Sequence, residues 1–308
     1  MVYLLLILGL VILLAGGKFL VDGASALAAK FGLSAGLIGL TVVAFGTSAP
    51  ELLVSINAAI KGNSDIALGN VIGSNISNIS LVLGISAIVY PISIYKSVLK
   101  TDYLATLLSA ILFYLLAYNG LISKIEGLIL FVLLIGLNIY FFKKLKVAEE
   151  DINEDVVKLK EQSLVKSGGL LLLGIAGLYF GSDMLVDSAV EISKMFGVSE
   201  RIIGVTVIAI GTSLPELVTS IIAALKKETD IAIGNILGSN IMNILAIIGI
   251  TSLISPINVS EVFIKQDFLW MLGLTALLFP ILRSRLIISR LEGALLLAVY
   301  GAYLFMIL

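Results

Sequence analysis

Long apolar runs alternate with short polar breaks along nearly the whole chain. The runs predict ten helices near residues 2–29, 33–60, 65–90, 101–119, 124–142, 167–195, 198–225, 230–254, 265–282 and 288–307. Each is close to or above the roughly 20 residues that a helix needs to cross a hydrocarbon core. The expected fold class is all-α integral membrane, with ten transmembrane helices. Val2 to Ala15 has the apolar character of a secretory leader, but no basic flank precedes it and the helical pattern continues, so it reads as a first span. The only long polar segment, residues 143–166, mixes Glu149, Glu150 and Asp151 with Lys158 and Lys160 and reads as a solvated connector. It separates residues 1–142 from residues 167–308, with five predicted spans on each side.

The two halves are copies of one another. A shift of 165 residues aligns Phe31–Asn78 with Phe196–Asn243 without a gap, and 29 of the 48 positions are identical. The correspondence reaches outward to Asp22 with Asp187 and Pro91 with Pro256. An odd number of spans per copy makes the second copy enter the membrane from the opposite side, so two inverted five-helix repeats are expected. With the loops assigned alternately to the two faces, 14 Lys and Arg fall on one side and 5 on the other, with Lys18 inside the first span. The excess marks the cytoplasmic face. The expectation is a multi-pass cell-membrane protein with both termini extracellular and the 143–166 loop cytoplasmic.

Composition narrows the chemistry. The chain is 59% hydrophobic and 13% charged, too little charge to coat a soluble domain. Its net charge of −1 and lack of a basic tract argue against nucleic acid as a partner. The absence of Cys and His removes disulfides, zinc and haem sites, thiol nucleophiles and His-based acid–base catalysis. Intramembrane serine and zinc proteases need a His, and the GxGD motif of the aspartyl type is missing too. No nucleophile–base pair supports an enzyme, and no cofactor is expected.

The chemistry that remains lies in the second and third spans of each half. The second spans carry Gly46-Thr47-Ser48, Pro50 and Glu51, then Gly211-Thr212-Ser213, Pro215 and Glu216. A carboxylate at bilayer depth costs at least about 2.5–3.5 kcal/mol, so both glutamates must face protein, water or an ion. Lys18 is the only basic residue deep in a span, and one lysine cannot neutralise two glutamates. Each proline removes an N–H and crowds the preceding turn, a break at which the carbonyls of Ala44 and Thr47, or Ala209 and Thr212, are expected to be free. The third spans carry Gly-Asn-x-x-Gly-Ser-Asn-Ile-x-Asn, with Ser74 and Asn78 on one helical face and Ser239 and Asn243 on the matching one. Pooled, the donors are all oxygen, which is hard-cation chemistry suited to one Ca2+ or several Na+. Two ions competing for the same glutamates inside inverted repeats make a minimal design for antiport.

These residues resemble the sodium/calcium exchangers of the cation/calcium exchanger superfamily, over essentially the whole chain and in both duplicated motifs. The resemblance implies Ca2+ held between Glu51 and Glu216 with the carbonyls of Thr47 and Thr212. It also implies Na+ sites built from Ala44, Thr47, Ser48, Glu51, Ser74 and Asn78, mirrored by Ala209, Thr212, Ser213, Glu216, Ser239 and Asn243. The Thr-Ser pair before each glutamate is typically missing from the proton-coupled branch, which favours Na+. Potassium-dependent members have Asp where this chain has Asn243, so no K+ requirement is implied. The central loop is also too short to fold into the regulatory Ca2+-binding domains of large animal exchangers.

The expectation is Na+/Ca2+ antiport by alternating access, functional as a monomer, with Na+, Ca2+ and the lipid bilayer as partners. Spans 1 and 6 are the candidate moving gate. A Ca2+/H+ antiporter using the same glutamates is the nearest rival, and a passive cation channel the next. Simpler roles compete at several positions. Gly69, Gly73, Gly234 and Gly238 suit close helix packing as well as ion access, and membrane hydroxyls often bond a carbonyl one turn back. Asn75 and Asn240 suit helix–helix hydrogen bonds outside the core site. Lys18 and Asp22 are spaced to pair, and Asp183 and Asp187, near the start of span 6, suit a wetted helix end or an access path.

Overall fold

A computed structural model of the chain describes residues 1–144, 162–197 and 209–307. It is helical, and the elements follow the hydrophobic pattern. Helix α1 spans Val2–Phe31, α2 Ala35–Thr47, α3 Ala49–Ile60, α4 Ser64–Val89, α5 Lys96–Ala117 and α6 Lys124–Lys144. Helix α7 spans Leu164–Met195, α8 Ala209–Thr212, α9 Leu214–Leu225, α10 Thr229–Ile254, α11 Phe263–Arg285 and α12 Arg290–Ile307. Among the described residues eight helices are long and apolar enough to cross a membrane, and α2 with α3 forms a ninth span bent by 45°. The expected span at 198–225 falls partly outside the described residues.

Four two-residue strands close the ends of the bundle: β1 (Ile92–Ser93), β2 (Leu121–Ile122), β3 (Ile257–Asn258) and β4 (Ile287–Ile288). They pair antiparallel as β1 with β4 and β2 with β3, so each short ladder joins one half of the sequence to the other.

Helices α1 and α7 lie side by side and antiparallel, in a register set by glycine. A Cβ at Gly9, Gly16 or Gly23 would stand 2.8, 2.6 or 2.7 Å from the backbone nitrogens of Leu185, Leu178 and Leu171 respectively. The two backbones touch, which only a residue without a side chain permits. Outward from this seam the helices expose Leu4, Val11, Leu14, Leu172, Leu173 and Phe180, the surface that lipid tails would cover.

Helix α10 is the opposite case: from Ile231 to Gly249 it is buried on every side. Its Gly234 explains how a helix fits there, because a Cβ would meet the Gly36 carbonyl oxygen of α2 at 2.6 Å. Gly238 is equally close to the Leu40 carbonyl, so in this copy the glycines serve packing. The segment equivalent to α2 in the second half, near residues 201–205, lies outside the described residues.

Two expectations are corrected. Asp22 pairs with Lys226 at the end of α9, not with Lys18. Lys18 is exposed on the outside of α1, and packing of α1 beside α9 brings the Lys226 ammonium to Asp22 instead. Asp183 and Asp187 do not stand near a helix start: α7 already begins at Leu164, so they lie beyond its middle, exposed.

Replacing Gly16 by Ile should force α1 off α7 and lower stability by about 1–3 kcal/mol. Leu14→Ile on the exposed face should change little. Thermal unfolding of both variants in detergent checks the contrast, and equal midpoints would count against the seam.

Candidate cation site

The centre of the bundle is made where two spans break. Helix α2 ends at Thr47, Ser48 leaves helical geometry at φ −86°, ψ 6°, and α3 starts with Pro50 in its first turn. Ser213 (φ −90°, ψ 5°) and Pro215 repeat the arrangement between α8 and α9. Proline suits a first turn because its missing N–H has no partner there anyway. Each break places a glutamate in the first turn of the following helix, Glu51 in α3 and Glu216 in α9. The carbonyl end of α2 faces the break, and the negative end of a helix dipole favours cations.

Glu51 is 1% exposed and Glu216 is fully buried, and the two carboxylates are close enough to repel each other. Hydroxyl groups serve one of them. Ser48 Oγ donates to Glu216 Oε1 at 3.1 Å, from the opposite half of the sequence, and Ser239 Oγ donates to the same oxygen at 3.4 Å. Thr47 Oγ1 lies 3.3 Å from Ser239 Oγ and 3.1 Å from Asn235 Oδ1. Among the described residues, both oxygens of Glu51, Oε2 of Glu216 and the Ser213 hydroxyl have no hydrogen-bond partner.

The π-helical turns of α4 and α10 complete the centre. Asn78 opens one such turn (Asn78–Val82) and Asn243 lies in the other (Met242–Ile248). Widened turns of this kind recur at functional sites because they re-aim side chains and loosen the backbone ladder. The Asn78 turn packs against α9, which carries Glu216, and the Asn243 turn against α3, which carries Glu51. Asn78 Nδ2 donates to Asn240 Oδ1 at 3.2 Å, and Asn243 Nδ2 to Asn75 Oδ1 at 3.1 Å. With their amide nitrogens held, Asn78 Oδ1 and Asn243 Oδ1 are left buried without a donor among the described residues. Asn75 and Asn240 do bond between helices, but they bond the site asparagines and so orient them.

The remaining expected ligands fall out as follows. Ser74 and Ser239 are buried on α4 and α10, Thr212 is half-buried at the end of α8 and has a partner, and Ala209 opens α8. The Ala44 carbonyl is not free, because it accepts the Ser48 N–H at 3.0 Å and lies 3.3 Å from the Thr47 hydroxyl. The chain resumes a helical bond immediately before the proline, so the break opens later than the proline rule alone suggests.

Two residues absent from the expected site hold it in place. Asn70 Nδ2 donates to the Glu51 carbonyl at 3.0 Å and to Ser55 Oγ at 2.9 Å. Asn235 Nδ2 donates to the Glu216 carbonyl at 3.5 Å and to Ser220 Oγ at 3.1 Å. The sequence signal was their presence in both copies of the Gly-Asn pair, at Gly69-Asn70 and Gly234-Asn235. Nothing in spacing along α4 and α10 says that they reach across to α3 and α9.

Comparison with known proteins agrees with this geometry. A family model described as sodium/calcium exchanger protein matches residues 1–143 and 166–308. The putative antiporter CaxA of Alkalimonas amylolytica is 39% identical over 98% of this chain and 97% of its own length. The sodium/calcium exchanger MaX1 of Methanosarcina acetivorans is 33% identical over 98% and 97%. The solved structure of the sodium-calcium exchanger NCX_Mj, soaked with zero Na+ and Ca2+, superposes with a TM-score of 0.87 at 33% identity, covering 100% of this chain and 99% of that one. Duplicated Gly-Thr-Ser-x-Pro-Glu motifs, a buried glutamate pair at two helix breaks and whole-length likeness lead to one conclusion: the chain belongs to the sodium/calcium exchanger family.

Proposed function

We propose that the chain is a secondary antiporter exchanging Na+ for Ca2+ by alternating access, independent of K+. One observation carries the reading: buried acceptor oxygens, both of Glu51, Oε2 of Glu216 and Oδ1 of Asn78 and Asn243, have no donor among the described residues. Buried polar atoms are nearly always paired, and acceptors alone can be satisfied by a metal cation. The ligands are then Glu51 and Glu216 at the centre, with Thr47, Ser48, Ser74 and Asn78 and their mirrors Thr212, Ser213, Ser239 and Asn243. Ala209 contributes a backbone carbonyl, and Ala44 the second lone pair of a carbonyl that already accepts the Ser48 N–H. Only oxygen surrounds the ions, as Ca2+ and Na+ prefer, and no resident cofactor or covalent step is required.

The two carboxylates supply the coupling. Occupied by one Ca2+ or by Na+, they are neutralised and the polar centre can pass an apolar barrier; empty, they carry two bare charges, which opposes return without an ion. Ten spans in two inverted repeats, divided at residues 143–166, give the two access states. Supporting that topology are the antiparallel run of α1 against α7, the exchange of strands between halves, and the reciprocal Asn78–Asn240 and Asn243–Asn75 bonds. The α1–α7 seam lies outside the ion centre and would slide as the gate. One chain contains a complete site, so the monomer is the working unit.

In proteoliposomes loaded with Na+ and diluted into Na+-free buffer at clamped pH, radiolabelled Ca2+ uptake should be Na+-dependent and unchanged by K+. Glu51→Gln and Glu216→Gln should each lower it about 100-fold or more, as removal of one partner from a buried charge contact costs about 3–5 kcal/mol. Uptake driven by a pH gradient without Na+ would instead identify a Ca2+/H+ antiporter, and flux without any counter-ion a channel. Asn70→Ala or Asn235→Ala should weaken apparent Ca2+ affinity about tenfold while leaving folded yield intact, in keeping with about 1–1.5 kcal/mol for a lost hydrogen bond. Unchanged affinity would make these asparagines mere packing. The chain has no cysteine, so single introduced thiols report topology directly. With both termini extracellular, Asn119→Cys should react with an impermeant maleimide on intact cells and Ser97→Cys should not.

A further inference from the structure

Away from the cation centre, a surface pocket of about 410 Å3 lies between the start of α5 and the end of α11. Four basic side chains line it, Lys96, Lys100, Arg283 and Arg285, with Leu99 and Leu286 between them. The fold brings them together from opposite halves of the sequence. The β1–β4 ladder pairs Ser93 with Ile287, the Ile94 N–H donates to the Leu286 carbonyl at 2.9 Å, and Leu286 turns the chain with a left-handed φ of 55° directly after Arg285.

Four cations in one pocket repel, and among the described residues none of them has an ion-pair partner. Of the carboxylates close to these cations in sequence, Asp102 is buried and accepts from the Thr101 hydroxyl, and Glu292 bonds Ser284 Oγ at 3.2 Å and spends its other oxygen on Ser289 N and Oγ at 2.7 Å each. Glu292 offers one charge against four. Arg283 is steadied by the Phe279 ring, 5.8 Å away, which positions the guanidinium without neutralising it.

We infer that this pocket binds the phosphate headgroup of an anionic membrane lipid. Arg supplies planar paired donors for phosphate oxygens and Lys a point charge, the combination that phosphate recognition uses. The source is lipid, not free phosphate, because the pocket adjoins outward-facing apolar side chains on both helices. Leu104 and Leu108 on α5 and Phe279 on α11 are exposed and provide a track for acyl chains. All four cations also belong to the Lys- and Arg-rich face assigned to the cytoplasm, where anionic headgroups concentrate. A lipid there would clamp β1 to β4, one of the two ladders joining the halves.

The test uses the full-length protein, purified in detergent and exposed to phosphatidylglycerol, phosphatidylcholine or inorganic phosphate, with retained lipid read by native mass spectrometry and stability by thermal unfolding. The wild type should retain phosphatidylglycerol and unfold at a higher temperature with it, while phosphatidylcholine and phosphate do neither. The pair Lys96→Gln/Lys100→Gln and the pair Arg283→Gln/Arg285→Gln should each cut retention at least threefold. The pair Lys61→Gln/Lys124→Gln, on the opposite face, should not. Wild-type retention in both test pairs, an equal loss in the control pair, or protection by phosphate alone equal to that by phosphatidylglycerol would overturn the proposal. If a pair fails to elute as a folded species, salt titration of the wild type decides: retention should fall steeply with added NaCl, and salt-insensitive retention overturns the site.

Discussion

Two carboxylates buried beside each other, with hydroxyls and amides around them and, among the described residues, no basic side chain bonded to either, are the constraint on which this molecule turns. A bare charge in hydrocarbon is expensive, and two that repel are more so. Among the described residues the fold surrounds them with oxygen, not positive charge, and on the proposed reading their neutralisation is left to ions from outside. An internal lysine would have made a more stable protein without a site. Stability is thus given up at the centre, and the long apolar seams and the fully buried α10 compensate for it.

The arrangement is duplicated in sequence but not equally satisfied. Glu216 receives hydroxyl donors from Ser48 and Ser239, whereas among the described residues both oxygens of Glu51 and the Ser213 hydroxyl lack partners. The reciprocal asparagine bonds, by contrast, are made in both halves at nearly the same length. They tie the π-helical turns of α4 and α10 to each other across the two halves.

Glycine does a different job at each place it is used. Along α1 and α7 it lets two long helices touch backbone to backbone. At Gly234 and Gly238 it lets α10 be enclosed by α2, fixing the depth at which Ser239 and Asn243 stand. Sequence spacing alone left packing and ion access as equal readings for these glycines, because a small residue serves both, and only the neighbour decides.

Hydrophobic period, the 165-residue repeat and the cost of intramembrane charge were enough to determine the helical membrane architecture, the breaks at Pro50 and Pro215, and the two glutamates that stand buried at those breaks. Those features are local or energetic necessities, readable wherever a charge stands in an apolar run. Tertiary structure decided what depends on a partner distant in sequence. Asp22 meets Lys226 and not Lys18, the Ala44 carbonyl is already engaged, and Asn70 and Asn235 brace the glutamate helices. Lys96, Lys100, Arg283 and Arg285 share a pocket only because β1 finds β4. A hydrogen bond or ion pair is specified by two groups and their distance, and a linear sequence states the groups but not the distance.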